Sequence, residues 1–91
     1  MAIKFSPKDP NEVLDYVLDW SARIAAEDAI STSTWTVPAG ITKDSSSNDD
    51  TTSTIWLSGG TTGQTYSLLN RVVTDAGRTM DQTVKITVKD K

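Results

Sequence analysis

Thr79-Met80-Asp81-Gln82-Thr83-Val84-Lys85-Ile86-Thr87-Val88-Lys89 alternates almost without fault. Met80, Gln82, Val84, Ile86 and Val88 fall on one face, and Thr79, Asp81, Thr83, Lys85, Thr87 and Lys89 on the other. A period of two residues describes a strand with one buried and one wet face, as in an antiparallel sheet lying on a second layer. Working back along the chain, the tight turn Asp75-Ala76-Gly77-Arg78 precedes this strand, and residues 64–74 alternate before it. Further back, Ile55-Trp56-Leu57 runs into the glycine-rich turn Ser58-Gly59-Gly60-Thr61-Thr62-Gly63. Strands separated by turns at this spacing predict an all-β, antiparallel β-sandwich, a fold whose function is more often contact than catalysis.

The first half of the chain is less uniform. Residues 30–37 are rich in Thr and Ser, with Trp35 and Val37 alternating, and they close on Pro38-Ala39-Gly40: a strand and a turn. Residues 41–43 predict a short strand, 44–50 a polar and acidic loop tip, and 51–57 the next strand. Residues 1–12 read as an extended N-terminal arm, because Pro7 and Pro10 oppose helix and beyond the first two residues Ile3 and Phe5 are the large apolar side chains. Such an arm needs a partner surface to be ordered. Residues 13–91 then form a single sandwich domain. Between the two lies an ambiguity. Asp9-Pro10-Asn11-Glu12 has the makings of a helix start, and Val13, Val17, Trp20 and Ile24 follow at helical spacing. Yet Leu14, Tyr16, Leu18 and Trp20 also alternate, with Asp15 and Asp19 opposite. Local propensity favours helix over residues 12–26.

Composition narrows the function. The chain has 91 residues, enough for one two-layer core, and contains neither cysteine nor histidine. Disulfides, thiol nucleophiles, histidine-dependent triads and the usual zinc sites are thereby excluded, and no cofactor is implied. The net charge is −3, without a basic stripe, which disfavours nucleic acid. The charge is unevenly divided: residues 1–50 hold four basic and nine acidic side chains, and residues 51–91 hold five and three. A bipolar surface suits head-to-tail stacking of copies, although solvated faces produce similar sums. No window is long and apolar enough for a membrane span or a signal peptide, so the expectation is a protein made in the cytoplasm and kept there or carried in a larger particle.

Several candidate sites weaken on inspection. The glycine-rich turn lacks the Gly-Lys-Ser/Thr ending and the helix of a phosphate-binding loop, so its glycines read as turn residues. Asp44, Asp49 and Asp50 could meet a hard cation through oxygen, but the spacing of a calcium loop is missing. Asp15 and Asp19 could act as acid and base, but an exposed face explains them better. Trp20, Trp35 and Trp56 are the stronger hint of binding. Each also fits the small core, which needs large side chains, Trp20 most of all and Trp35 and Trp56 less so. Trp56 must face away from Ile55 and Leu57, which leaves an apolar side chain on a face that should be wet and suggests an interface. Arg71 and Arg78, near the ends of adjacent strands, could pair with the acidic half of a neighbouring copy or lie on the sheet surface.

The order Asp15-Tyr16, Asp19-Trp20-Ser21, Asp28-Ala29-Ile30-Ser31, Trp35-Thr36-Val37, Trp56-Leu57-Ser58-Gly59-Gly60-Thr61, Gly63-Gln64-Thr65-Tyr66, Asn70-Arg71-Val72 and Gly77-Arg78-Thr79 resembles the small tailed-bacteriophage fiber–tail adaptor proteins, from about residue 7 to residue 88. The resemblance implies an immunoglobulin-like β-sandwich and a virion structural part rather than an enzyme. It also implies a strand over residues 14–20 and a short helical turn near residues 21–25, against the local helix preference; sheet pairing can override propensity, and the strand is the reading adopted. The connection at residues 24–29 lacks the glycine expected in a turn there. On this reading the partners are other phage structural proteins, of tail and fiber, and further copies in a homo-oligomer, with Trp35 and Trp56 as apolar contacts and Arg71 and Arg78 as polar ones. A head decoration or neck protein of the same fold, or a carbohydrate-binding adhesion module using the tryptophans as a platform, are the alternatives.

Overall fold

The computed structural model describes residues 3–90, all of whose regular elements are strands. They are β1 (Ile3–Lys4), β2 (Leu14–Asp19), β3 (Ile30–Thr36), β4 (Ile41–Asn48), β5 (Thr52–Gly59), β6 (Thr65–Thr74) and β7 (Thr79–Thr87). One sheet has the order β1-β7-β6-β3 and the other β2-β5-β4. Every pair is antiparallel except β1 with β7, which is parallel. The two sheets face each other around a core in which Ile55, Leu57, Val72, Val84 and Val88 are wholly buried. The alternation in the last strand is realised as read: Val84, Ile86 and Val88 point inward, and Thr79, Asp81, Thr83 and Lys85 are exposed.

Residues 14–19 form a strand, paired to β5 from Leu14↔Leu57 to Asp19↔Thr52. The helix start at Asp9 is nonetheless built: Glu12 Oε1 accepts the Asp9 N–H at 2.8 Å, and Asp9 Oδ2 accepts the Asn11 N–H at 2.8 Å. The box closes one turn and propagates no further, because β5 offers residues 14–19 a ladder that buries Tyr16, Leu18 and Trp20. The helical turn expected near residues 21–25 is instead a hydrogen-bonded turn, closed by the Arg23 N–H on the Trp20 carbonyl at 2.8 Å. The supposed loop tip at 44–50 is mostly strand as well. β4 runs on to Asn48, with a bulge between Lys43 and Ser45, and beyond Ile41 all its residues are exposed. An edge strand is held by backbone bonds to its one neighbour, so it needs no apolar side chains to announce it.

The N-terminal residues from Ile3 lie along β7. Ile3 and Lys4 are in register with Val84 and Lys85, the Lys8 N–H bonds to the Thr87 carbonyl at 3.0 Å, and the Phe5 ring stacks on Tyr16 with centroids 4.8 Å apart. Lys8 is fully buried, its Nζ donating to the Gly59 carbonyl at 2.7 Å and the Asp9 carbonyl at 2.9 Å.

A polar chain runs through the apolar core. Trp20 Nε1 donates to Asn70 Oδ1 at 2.9 Å, and Asn70 Nδ2 donates to Ser33 Oγ at 3.0 Å and the Thr34 carbonyl at 3.1 Å. Ser33 and Ser53 share a hydroxyl bond, and Ser53 Oγ accepts the Trp35 Nε1–H at 3.0 Å. Asn70→Ala removes the acceptor of one indole and the donor to two oxygens, and should cost about 3 kcal/mol in urea denaturation. Tyr16 gives the opposite test, since its buried hydroxyl has no hydrogen-bond partner among the described residues. Tyr16→Phe should leave the midpoint unchanged or raise it. At the glycine turn, Gly60 has φ +97° and a Cβ there would lie 2.6 Å from Val88 Cγ2, whereas Gly63, at φ +87°, has open space. Gly63→Ala should cost about 1–2 kcal/mol from backbone strain alone, and Gly60→Ala more.

Candidate functional site

β5 is the central strand of the three-stranded sheet, so its alternation assigns each side chain to the core or to the outer face. Ile55 and Leu57 point into the core and are wholly buried; Trp56, between them, is 41% exposed on the outer face. Register places Asp15 of β2 and Ser45 of β4 on either side of Trp56. Val17, two residues beyond Asp15, and Val13, two before it, lie diagonal to the indole and are 53% and 55% exposed. An exposed aromatic bracketed by two exposed valines, with Asp15, Asp19, Thr54, Ser45 and Ser47 around them, has the make-up of an interaction surface: apolar at the centre and polar at its margin.

The valines of this patch read at the outset as part of a helical apolar stripe. In a strand they change sides. Once Leu14, Tyr16, Leu18 and Trp20 are taken as the inward set, Val13 and Val17 necessarily share a face with Asp15 and Asp19. That parity was the available signal.

The other candidates do not join Trp56. Trp35 is a correction: it is 5% exposed, packed in the core and bonded to Ser53, and so is not available to a partner. Its strand carries a bulge between Ile30 and Thr32, which resets the phase so that Ile30 and Trp35, an odd number of residues apart, both point inward. Arg71 sits on the outer face of the other sheet, where it forms a two-pronged ion pair with Asp81, its register partner, through Nε–Oδ1 at 2.8 Å and Nη2–Oδ2 at 3.0 Å. Arg78, in the β6–β7 turn, donates to Asp28 Oδ2 at 3.1 Å. Both arginine side chains remain more than half exposed, at 57% and 58%.

Asp44, Asp49 and Asp50 are not gathered into one site. Asp44 occupies the β4 bulge and accepts from Ser58 Oγ at 2.9 Å, while Asp49 Oδ1 caps the β4–β5 turn by accepting from the Thr51 and Thr52 N–H groups and from Thr52 Oγ1. Four carboxyls, Asp19, Asp28 and Asp49 at turns and Asp81 on the face of β7, are held below the ordinary range. The cause is first the Thr52 hydroxyl for Asp49, the Ser21 N–H for Asp19, the Thr74 hydroxyl for Asp28 and the Arg71 guanidinium for Asp81. Burial, and secondarily the charge of Glu12, pushes the Tyr16 hydroxyl up.

Two sheets in this order, with an inward-facing aliphatic core, define an immunoglobulin-like β-sandwich. The fold is shared with the PKD domain of the protein KIAA 1837, a solution structure to which the chain is 18% identical, with a TM-score of 0.56 over 99% of this chain and 81% of that one. Residues 8–87 match the family described as podophage GP4 fiber-tail adaptor protein gp77. The chain belongs to that family. A comparison with curated proteins gave no match.

The lowered carboxyls set the acid limb of stability. A group whose folded value lies below its unfolded value of about 3.9 stabilises the fold above that pH, and the contribution is lost as the pH falls through the folded value. Chemical denaturation midpoints should therefore be nearly flat between about pH 5 and 8, where no histidine titrates, and fall below about pH 4. Asp28→Asn and Asp49→Asn should each flatten that fall.

Proposed function

We propose that this chain is a non-enzymatic structural protein of the phage virion, a fiber–tail adaptor subunit that acts through protein contacts in a multi-copy assembly. Membership in the adaptor family supports this station, and the exposed Trp56 between Val13 and Val17 is the single observation that carries the mode of action. The indole is not part of the core, which Ile55 and Leu57 of the same strand enter from its other face. A partner that covers it gains an aromatic anchor, whose loss from an interface typically costs about 2 kcal/mol or more. Arg71 and Arg78 serve as polar contacts, their guanidinium groups half-occupied by Asp81 and Asp28. Repetition of a modest contact in a ring of copies multiplies its strength. The partners are other components of the tail and its fibers, and the protein is made in the host cytoplasm before it enters the particle.

Of the three tryptophans only Trp56 is exposed, since Trp20 and Trp35 are buried, so no row of rings is presented for stacking on sugars. Immunogold labelling of intact and disrupted particles tests the station. Label at the tail tip or fiber junction is the expected result, and label confined to the head would make the protein a decoration or neck component instead. Trp56→Ala should lower folding stability by about 1 kcal/mol, the value of its cross-strand contacts on the outer sheet face, and leave the chain folded, yet reduce incorporation into particles. A Trp56→Ala chain that unfolds would return the indole to the core.

A further inference from the structure

We propose that a groove beside Lys4 and Lys85 receives the acidic end of a second copy of this chain, so that copies associate head to tail. The inference rests on the multi-copy reading above and supplies its contact.

The groove begins with a like-charge pair. β1 runs parallel to β7 with Lys4 directly opposite Lys85, both exposed on the outer face of the four-stranded sheet. Like charges directly opposite in a ladder repel. Among the described residues neither lysine has an ion-pair partner, whereas Arg71 and Arg78 each hold a carboxylate. The two lysines border a hollow of about 400 Å³ completed by Phe5, Pro7, Thr65 and Thr87, with no acidic residue in its lining. Phe5 and Pro7 contribute to its lining, and the hydroxyls of Thr65 and Thr87 bond to each other at 3.0 Å. A carboxylate placed there would lie against both charges and relieve their repulsion.

The opposite end of the sandwich offers such carboxylates. The strands run so that the turns at residues 20–29, 49–51 and 75–78 gather at the end away from the groove, as the bonds from Trp20 N to the Thr51 carbonyl, Ile30 N to the Asp50 carbonyl and Asp75 N to the Ala29 carbonyl show. These turns hold five acidic and two basic side chains. Both basic ones are engaged: Arg78 with Asp28, and Arg23 over the Trp20 ring at 4.6 Å. Asp49 is occupied in capping its own turn, but the adjacent Asp50 is exposed at the tip, with only its carbonyl committed. The two surfaces are complementary in charge and sit at opposite ends of the strands, the arrangement of a heterologous contact that closes into a ring or continues as a stack according to its rotation. The groove and the Trp56 face are on different sheets, so the contact leaves Trp56 uncovered for another partner.

Sedimentation velocity on the full chain decides the matter. At about 0.01 M salt, where the screening length is about 30 Å, the wild type should associate, and it should dissociate as salt is raised. The double variant Lys4→Glu/Lys85→Glu keeps a like-charge pair at the same register and should fold as before, but associate at least tenfold more weakly. Asp50→Lys should do the same. Mixed in equal amounts, the two variants should associate again, since each supplies the complement that the other lacks. A wild type that stays monomeric at low salt, reversals that leave association unchanged, or a mixture that fails to recover would each overturn the proposal. If the chain is monomeric while gold still marks the tail, this contact falls and the adaptor reading stands. If the charge swap succeeds while no gold marks the tail, the contact stands and the station is wrong.

Discussion

Trp20 and Trp35 each bring a buried N–H into an apolar space, and the rest of the core is arranged around satisfying them. Asn70 of β6 accepts one and Ser53 of β5 the other, and Ser33 of β3 links the two acceptors. The chain crosses from one sheet to the other, so the layers cannot slide without orphaning several polar groups, each of which costs about 1–3 kcal/mol when buried unpaired. Aliphatic packing from Ile55, Leu57, Leu68, Val72, Val84 and Ile86 supplies the burial but is indifferent to small shifts. The polar chain fixes which shift is the native one.

That fixed core determines what remains for function. With β5 locked by Ser53, Ile55 and Leu57 facing inward, Trp56 has no choice but to face out. With β7 locked by Val84 and Ile86, Lys85 must emerge on the opposite sheet, and β1 in parallel register sets Lys4 beside it. The apolar surface and the lysine groove are both consequences of strand parity, and parity places them on opposite outer faces. An adaptor must hold more than one neighbour. A two-layer sandwich provides separate surfaces for doing so without moving parts.

The sandwich was legible where side chains alternated in chemistry. β7 shows it most plainly, and β5 and β6 follow. Most of β4 is invisible in the sequence because an edge strand of Thr, Lys, Asp and Ser carries no apolar period; its existence depends on backbone bonds to β5. At residues 9–12 the local signal was correct as far as it went, since the Asp9–Glu12 box forms, but it stops after one turn because the next residues find a ladder. The face of Trp35 could not be assigned from its strand for a related reason. A bulge of one residue shifts the phase of β3, and no residue type in Ser31-Thr32-Ser33 marks where it falls. The exposure of Trp56 was legible from its two neighbours alone, whereas Val13 and Val17 became its companions only after residues 14–19 were known to be extended. The groove was beyond reading from sequence, because Lys4 and Lys85 are brought together by a parallel pairing across nearly the whole chain.

The most direct test of this account is a side-chain-resolution electron cryomicroscopy reconstruction of the assembled podophage tail. The account predicts the sandwich at the fiber junction with Trp56, Val13 and Val17 buried against another chain. A reconstruction in which that face looks into solvent, while the sandwich is held in place through other surfaces, would contradict it.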